Sequence, residues 1–172
     1  MFTTSFSNHQ PTRSNSTMTT ATRTNEEVVS ILSDLLENSR DGEYGFRACA
    51  DEVDDAQIKQ VFASRSAQCA EAAAELATLI RSLGGETDTG GTASGALHRG
   101  WVHVKGTLGA DSALSMLEEC ERGEDAAVAR YRKALKSELP PAVRTLVERQ
   151  AEGAQRNHDQ IRDLRDQYKA KG

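Results

Sequence analysis

LSMLEECERGEDAAVARYRKAL, residues 114–135, gives the clearest indication of how this chain folds. At heptad spacing its side chains are Leu114, Leu117, Glu121, Glu124, Val128, Tyr131 and Leu135. Most of these positions are apolar or aromatic, which is typical of a helix that packs one face against other helices. Glu121 and Glu124 interrupt that face, and a carboxylate in a helical core is normally paired, protonated or bound to a cation. The stretch therefore predicts a helical bundle with a polar layer in its interior.

The composition of the 172-residue chain fits a single all-α domain. Hydrophobic residues make up 37% and aromatic residues only 5%, a balance that suits helix–helix packing better than a β-sandwich. The net charge of −5 without a basic stripe argues against a nucleic acid or an anionic membrane surface as partner. No segment approaches the run of about 18 apolar residues that a membrane span needs.

Three cysteines, Cys49, Cys69 and Cys120, each lie singly within a helical pattern. The sequence has no CxxC pair, and an odd number of cysteines argues against a disulfide framework. We therefore expect small buried thiols in a protein of the reducing cytoplasm.

Local signals divide the chain into a disordered N-terminal extension, residues 1–23, and one domain, residues 24–170. Thr24 and Glu27 form a capping-box pattern, Gly84-Gly85 stops a helix, and Pro140-Pro141 separates two helices. The apolar periodicity between these signals predicts four helices, at about 24–51, 55–83, 111–137 and 141–169. Gly42, Gly45 and Gly123 fall inside them, where they would allow close helix approach or local unwinding.

Residues 84–110 hold eight of the 13 glycines and enclose an amphipathic segment with Leu97, Trp101, Val104 and Leu108 on one side. This pattern predicts a long crossover that carries a short helix. The other two connections are short, so helices one and two, and helices three and four, should form antiparallel hairpins. A crossover long enough to return along the bundle would make helices two and three parallel, as in ferritin-like bundles.

Four segments resemble a known bacterial family: DGEYGF at 41–46, GALHRGW at 95–101, ECERGED at 119–125 and LPP at 139–141. They are similar to the ferritin-like four-helix-bundle family called domain of unknown function 2383, over about residues 24–170. The resemblance implies a ferritin-like fold in a soluble bacterial protein. The family has no assigned activity, so the resemblance transfers no catalytic residue.

Di-iron members of the wider ferritin-like group place one Glu on each of two helices and a Glu-x-x-His pair on each of the other two. By that comparison the candidate metal ligands of this chain are Glu43, Glu71, Glu121, Glu124 and His158. Gln68 and Gln155 stand at the first positions of the two pairs, where the motif has Glu. Three arrangements remain open: a metal site, a hydrogen-bonded network, or glutamates that face solvent. In the network, the glutamates would be neutralised by arginines, with candidates Arg40, Arg47, Arg65 and Arg122.

Two functions are therefore alternatives. The first is a non-enzymatic, stress-associated module that acts through self-association, as a dimer, or through a protein partner; it needs no cofactor. The second is a protein that binds or oxidises iron or manganese. Residues 24–83 carry 12 acidic and five basic residues, a net charge of −7. Residues 139–172 carry five acidic and seven basic residues, a net charge of +2. These opposite charges favour association between copies. No P-loop, GxGxxG or catalytic-triad signature occurs, and we expect no open cleft in a bundle core.

Overall fold

The computed structural model describes residues 24–87 and 112–171, and within these ranges the chain forms four helices and no strand. The helices are α1 (Asn25–Glu52), α2 (Ala56–Ser82), α3 (Ser112–Leu135) and α4 (Pro141–Lys171). Their ends lie within two residues of the predicted ends. The all-α fold class is confirmed. None of the four helices has the length and apolar character that a membrane span requires.

The starts of α1 and α2 are capped by side chains, and α2 is terminated by a glycine, as the sequence indicated. Thr24 and Glu27 form a reciprocal capping box at the start of α1. Asp55 caps α2 by accepting a hydrogen bond from the backbone N–H of Ile58. After α2, Gly84 has a φ of 81°, and the N–H groups of Gly84 and Gly85 donate to the carbonyls of Arg81 and Ile80. This is a Schellman ending, which favours glycine because the backbone is left-handed there.

Contacts between the helices fix their directions. Asp34 and Cys49 of α1 lie against Arg130 and Cys120 of α3, respectively, so α1 and α3 are antiparallel. Gln68 and Glu75 of α2 contact Asn157 and Arg149 of α4, so α2 and α4 are also antiparallel.

Helices α1 and α2 form one antiparallel hairpin, because Gly42 lies against Cys69 and Gly85 against Val29. It follows that α2 and α3 run parallel, as predicted, and that the end of α2 and the start of α3 lie at opposite ends of the bundle. The predicted crossover helix, with Leu97, Trp101, Val104 and Leu108, lies outside the described residues.

The core consists of two apolar clusters with polar side chains between them. One cluster includes Leu32, Leu36, Leu76, Ile80 and Val147, and the other includes Phe46, Phe62, Met116, Leu117 and Ile161. Buried polar residues are Ser39, Ser66, Glu124 and Gln150, and Arg65 reaches Glu124 from α2. These five residues form what we call the central polar layer. The layer brings charge into the middle of the bundle, where a charge needs a partner.

Candidate site in the central polar layer

Glu124 of α3 is the most deeply buried charged residue of the described chain, with 1% of its surface exposed. The guanidinium of Arg65, on α2, binds it with two hydrogen bonds. One joins Nη2 to Oε2 at 3.1 Å, and the other joins Nε to Oε1. This bidentate geometry matches the fork of arginine to the two oxygens of a carboxylate. The pair joins two helices that lie diagonally across the bundle.

Arg65 is itself mostly enclosed, with 13% of its side chain exposed. Burial is the strongest influence and acts to lower its pKa, but the hydrogen bond to Glu124 and the neighbouring negative charge together outweigh burial and hold the pKa of Arg65 above its ordinary value. Its guanidinium also lies over the ring of Phe46, 5.7 Å from the ring centre. The cation of the polar layer is therefore supplied by the protein and fixed on two sides.

A chain of hydrogen bonds runs from the polar layer to the surface between α2 and α4. The hydroxyl of Tyr131 donates to Gln150 Oε1 at 3.0 Å, and Gln150 Nε2 donates to Glu75 Oε2 at 2.9 Å. Arg149 Nη2 donates to the other oxygen of Glu75 at 2.8 Å. Burial acts to raise the pKa of Glu75, but these two donors outweigh it and lower the pKa. Gln150 thus connects a buried hydroxyl to a surface ion pair.

Two of the other candidate metal ligands form ion pairs with arginines other than Arg65. Glu43 pairs with Arg47 one turn further along α1. Glu121 pairs with Arg165 of α4, whose Nη1 lies 2.9 Å from Glu121 Oε2. Glu43, Glu121 and Glu124 therefore each have their own arginine.

His158 belongs to a separate polar group on α3 and α4. Its Nε2 lies 2.9 Å from Asp125 Oδ1, and its Nδ1 lies 3.1 Å from Asp159 Oδ1. Both contacts are hydrogen bonds only if both ring nitrogens carry a proton. A metal ligand needs a nitrogen lone pair, so the two aspartates compete with a metal for this imidazole.

The remaining candidate residues lie near the surface. Glu71 is exposed on α2. Gln68 accepts a hydrogen bond from Asn157 at 2.9 Å, and Gln155 accepts one from Arg132 at 3.1 Å. The side-chain oxygens of Gln68 and Gln155 thus bind protein donors.

The seven predicted site residues are distributed over several separate contacts. Within residues 24–87 and 112–171, no three or more His, Cys, Asp or Glu side chains are grouped as a metal ion would require. The metal site stays a prediction of the sequence. Among the four arginines considered as neutralising groups, Arg65 and Arg47 bind candidate glutamates. Arg122 pairs with Glu119 instead, and Arg40 donates to the carbonyl of Thr87.

A cavity of about 340 Å³ opens between α2 and α4 and reaches the polar layer. Its lining includes Ser39, Gln68, Glu71, Tyr131, Arg149 and Gly153. The expectation that the bundle offers no open cleft is therefore wrong. Polar side chains hold α2 and α4 apart, and Gly153 adds no side chain to fill the gap. A cavity of this size has room for several water molecules or a small molecule.

Sequence reasoning missed Arg165, Asp125 and the proximity of Cys49 to Cys120. The two sulfur atoms of those cysteines lie 3.7 Å apart, between α1 and α3. Opposite charge was the only sequence signal for the partners of Glu121 and His158. Charge alone cannot identify which of the many arginines and aspartates is the partner, because it carries no information about how each helix is rotated.

The family model described as Domain of unknown function (DUF2383) matches residues 27–137, well over half of the chain. The chain belongs to this family. The DUF2383 match covers α1, α2 and α3, and it includes three of the four segments on which the resemblance rested. It ends before LPP at 139–141 and before α4, so Gln150 and His158 lie outside it. No curated protein matches this DUF2383 chain.

Proposed function

We propose that this protein is a non-enzymatic helical bundle that acts by contacting another protein chain, and that its central polar layer has a structural role. The observation that carries the proposal is the Arg65–Glu124 pair. The most buried carboxylate already has a positive charge bound to both of its oxygens. By analogy with ferritin-like bundles, we extend the proposal to a stress-associated role in the cytoplasm.

A divalent ion at Glu124 would have to displace Arg65. Displacement would leave a guanidinium enclosed without its partner, and breaking a buried pair costs about 3–5 kcal/mol. A structural layer needs no such rearrangement. It also restricts how the helices assemble, since a shift of α2 against α3 would separate the pair.

The distribution of charge supports association between copies. Helix α1 has eight acidic and two basic residues, a net charge of −6, whereas α4 has five acidic and seven basic residues, a net of +2. Both helices pack on α2 and α3, so they occupy opposite corners of the bundle. The acidic surface of α1 in one copy therefore complements the α4 surface of a second copy.

Tyr44 lies on this acidic helix and is the exposed large hydrophobic residue of the described chain, at 43% exposure. Tyrosine is enriched in protein interfaces because its ring supplies apolar area and its hydroxyl can form a hydrogen bond. We assign Tyr44 to the centre of the contact surface.

Sedimentation velocity tests this association. We expect the mean mass to rise above that of a monomer, to a dimer and then to larger oligomers, between about 1 and about 200 µM at low ionic strength. Larger oligomers follow because a contact between opposite corners leaves one α1 and one α4 surface free. The rise should weaken on going from about 20 to about 500 mM NaCl, because salt screens exposed charges. Tyr44→Ala should weaken association, and Gln57→Ala, an exposed residue on α2, should not. A monomer under all conditions would contradict self-association and leave a basic protein as the partner.

The sequence also raised an iron or manganese site, and an anaerobic titration with Fe(II) or Mn(II) tests it. The matched variant is Glu121→Gln/His158→Gln, since both residues are only partly buried and the fold should persist. We expect no stoichiometric metal that depends on these residues. Metal bound at one or two equivalents and lost in the variant would establish the metal function instead, together with a rise in melting temperature.

A further inference from the structure

Two of the three cysteines meet in the core, although they are far apart in the sequence. Cys120 Sγ of α3 lies 3.7 Å from Cys49 Sγ of α1, and each residue is only 2% exposed. The third, Cys69, lies on α2 against Gly42. The pair sits in the same apolar cluster as Phe46 and Met116, so packing brings the sulfurs together.

We propose that Cys49 and Cys120 are a modification site, at which a peroxide converts the two thiols into a reversible disulfide between α1 and α3. This site is independent of the contact surface on α1. It would link the two hairpins of the bundle covalently when the surroundings become oxidising.

The chemistry requires two thiols and one peroxide. One of the two thiols loses its proton and attacks one peroxide oxygen, the O–O bond breaks, and a sulfenic acid forms while the other oxygen takes up that proton and leaves as water. The second thiol then attacks the sulfenic sulfur, the S–S bond forms, and the sulfenic hydroxyl takes up the second thiol proton and leaves as a second water. With hydrogen peroxide, two thiols are oxidised and the peroxide is reduced to two molecules of water.

The contact between the two sulfurs means that the reaction does not depend on their order. Burial raises the pKa of Cys120, and its hydrogen bond to Cys49 raises it further. Whichever sulfur is oxidised first, the other lies against it and can complete the disulfide.

Geometry and position both favour the linkage. A disulfide bond is about 2.05 Å long, so the sulfurs must approach by about 1.7 Å. Cys49 lies in the last turn of α1, which ends at Glu52, and Cys120 lies two turns into α3. Helix ends open locally more readily than helix centres, which gives a small peroxide access.

Cys69 provides an internal control. Like Cys120 it is buried, and burial raises its pKa to about 11, but its sulfur lies on another helix beside Gly42 and not against the Cys49–Cys120 pair. We expect it to stay reduced while the protein is folded. After trypsin digestion, each cysteine falls in its own peptide: residues 48–59 for Cys49, 66–81 for Cys69 and 106–122 for Cys120.

The experiment treats the folded full-length protein with hydrogen peroxide, unfolds it, alkylates free thiols and measures mass without reduction. We expect a loss of two hydrogen atoms, one alkylated cysteine, and a cross-linked peptide joining 48–59 to 106–122. Dithiothreitol should reverse all three. Cys69→Ser should give the same cross-link, whereas Cys49→Ala and Cys120→Ala should each abolish it.

The oxidised protein should also melt at a higher temperature than the reduced protein, in the wild type and in Cys69→Ser alike, because the cross-link restricts the unfolded chain. Three alkylated cysteines after peroxide treatment would overturn the proposal. So would oxidation of Cys49 without a cross-link, or a cross-link that contains Cys69.

Discussion

Helix α2 meets its two neighbours in different ways. Towards α1 it packs closely: a Cβ added at Gly42 would lie 2.8 Å from Cys69 Sγ, and Ser66 Oγ donates to the carbonyl of Glu43 at 2.9 Å. Towards α4 it is held by polar side chains around a cavity of about 340 Å³. Small residues let two helices approach, whereas paired polar side chains need the space that they occupy. The central polar layer is therefore accessible from the α2–α4 side.

The strongest test of the polar layer is Glu124→Ala. This change leaves the enclosed guanidinium of Arg65 without its partner, and we expect a loss of about 3–5 kcal/mol in the free energy of unfolding. Urea denaturation followed by circular dichroism measures it.

Two further variants show whether the loss comes from the unpaired charge. Arg65→Met/Glu124→Leu removes both charges and should recover most of the stability. Arg47→Met removes the partner of the more exposed Glu43 and should cost less than about 1 kcal/mol. A loss below that value in Glu124→Ala as well would show that water reaches the pair freely.

Gln150→Ala tests the polar contact between α2 and α4. The change removes the acceptor of the Tyr131 hydroxyl and a donor to Glu75, so we expect a loss of about 1–3 kcal/mol. Gln155→Ala, on the same helix but only half buried, should cost less. Equal losses in the two variants would mean that water in the cavity binds the Tyr131 hydroxyl when Gln150 is absent.

Gly42→Ala tests the close packing of α2 against α1. The added Cβ would meet Cys69, and overpacking costs about 1–3 kcal/mol. The higher helix propensity of alanine offsets about 1 kcal/mol of this cost. We therefore expect the free energy of unfolding to fall by about 1 kcal/mol, as measured by thermal or urea unfolding.

Gly123→Ala is the matched control, because a Cβ there has no neighbouring atom within 4 Å. It should stabilise the protein by about 1 kcal/mol. Removing the sulfur, in Cys69→Ala/Gly42→Ala, should relieve the clash. If both glycine variants stabilise equally, α1 and α2 are free to move apart.

The smallest effect is expected at Asp41, between α1 and α3. Burial raises its pKa to about 6, Glu37 adds to the rise, and Arg130 opposes it. The native state binds this proton more tightly than the unfolded chain, where the pKa is 3.8, so this contribution to stability is lost as the pH rises from about 4 to about 6. Because the side chain is partly solvated, Asp41→Asn should stabilise the protein at pH 7 by only about 1 kcal/mol.

The gain from Asp41→Asn should disappear below about pH 4, where both states are protonated. Asp54→Asn, at an exposed position, serves as the control for removing a surface carboxylate. An equal gain at all pH values would contradict the assigned pKa.

The fold could be predicted because its signals are local. The capping box at Thr24, the stop at Gly84-Gly85 and the break at Pro140-Pro141 each act within a few residues. Heptad spacing also placed Glu124 in the core. Helix directions followed from the lengths of the connections.

The partners within the site could not be predicted in the same way. Arg165 binds Glu121 and Asp125 binds His158, although Arg122 had been considered for the glutamates. Such pairs depend on how far each helix is rotated and displaced against its neighbour. Rotation and displacement result from the packing of all four helices together, which no short segment encodes.

Helix α4 lies beyond residues 27–137, which the family model matches, yet it is one of the four helices that form the core. Its buried side chains include Val143, Val147, Ala154 and Ile161. A chain cut after residue 137 would expose the apolar faces of α2 and α3 to water and lose the partner of Tyr131. The smallest piece able to fold alone therefore extends through α4, and a shortened protein should aggregate rather than form a three-helix domain.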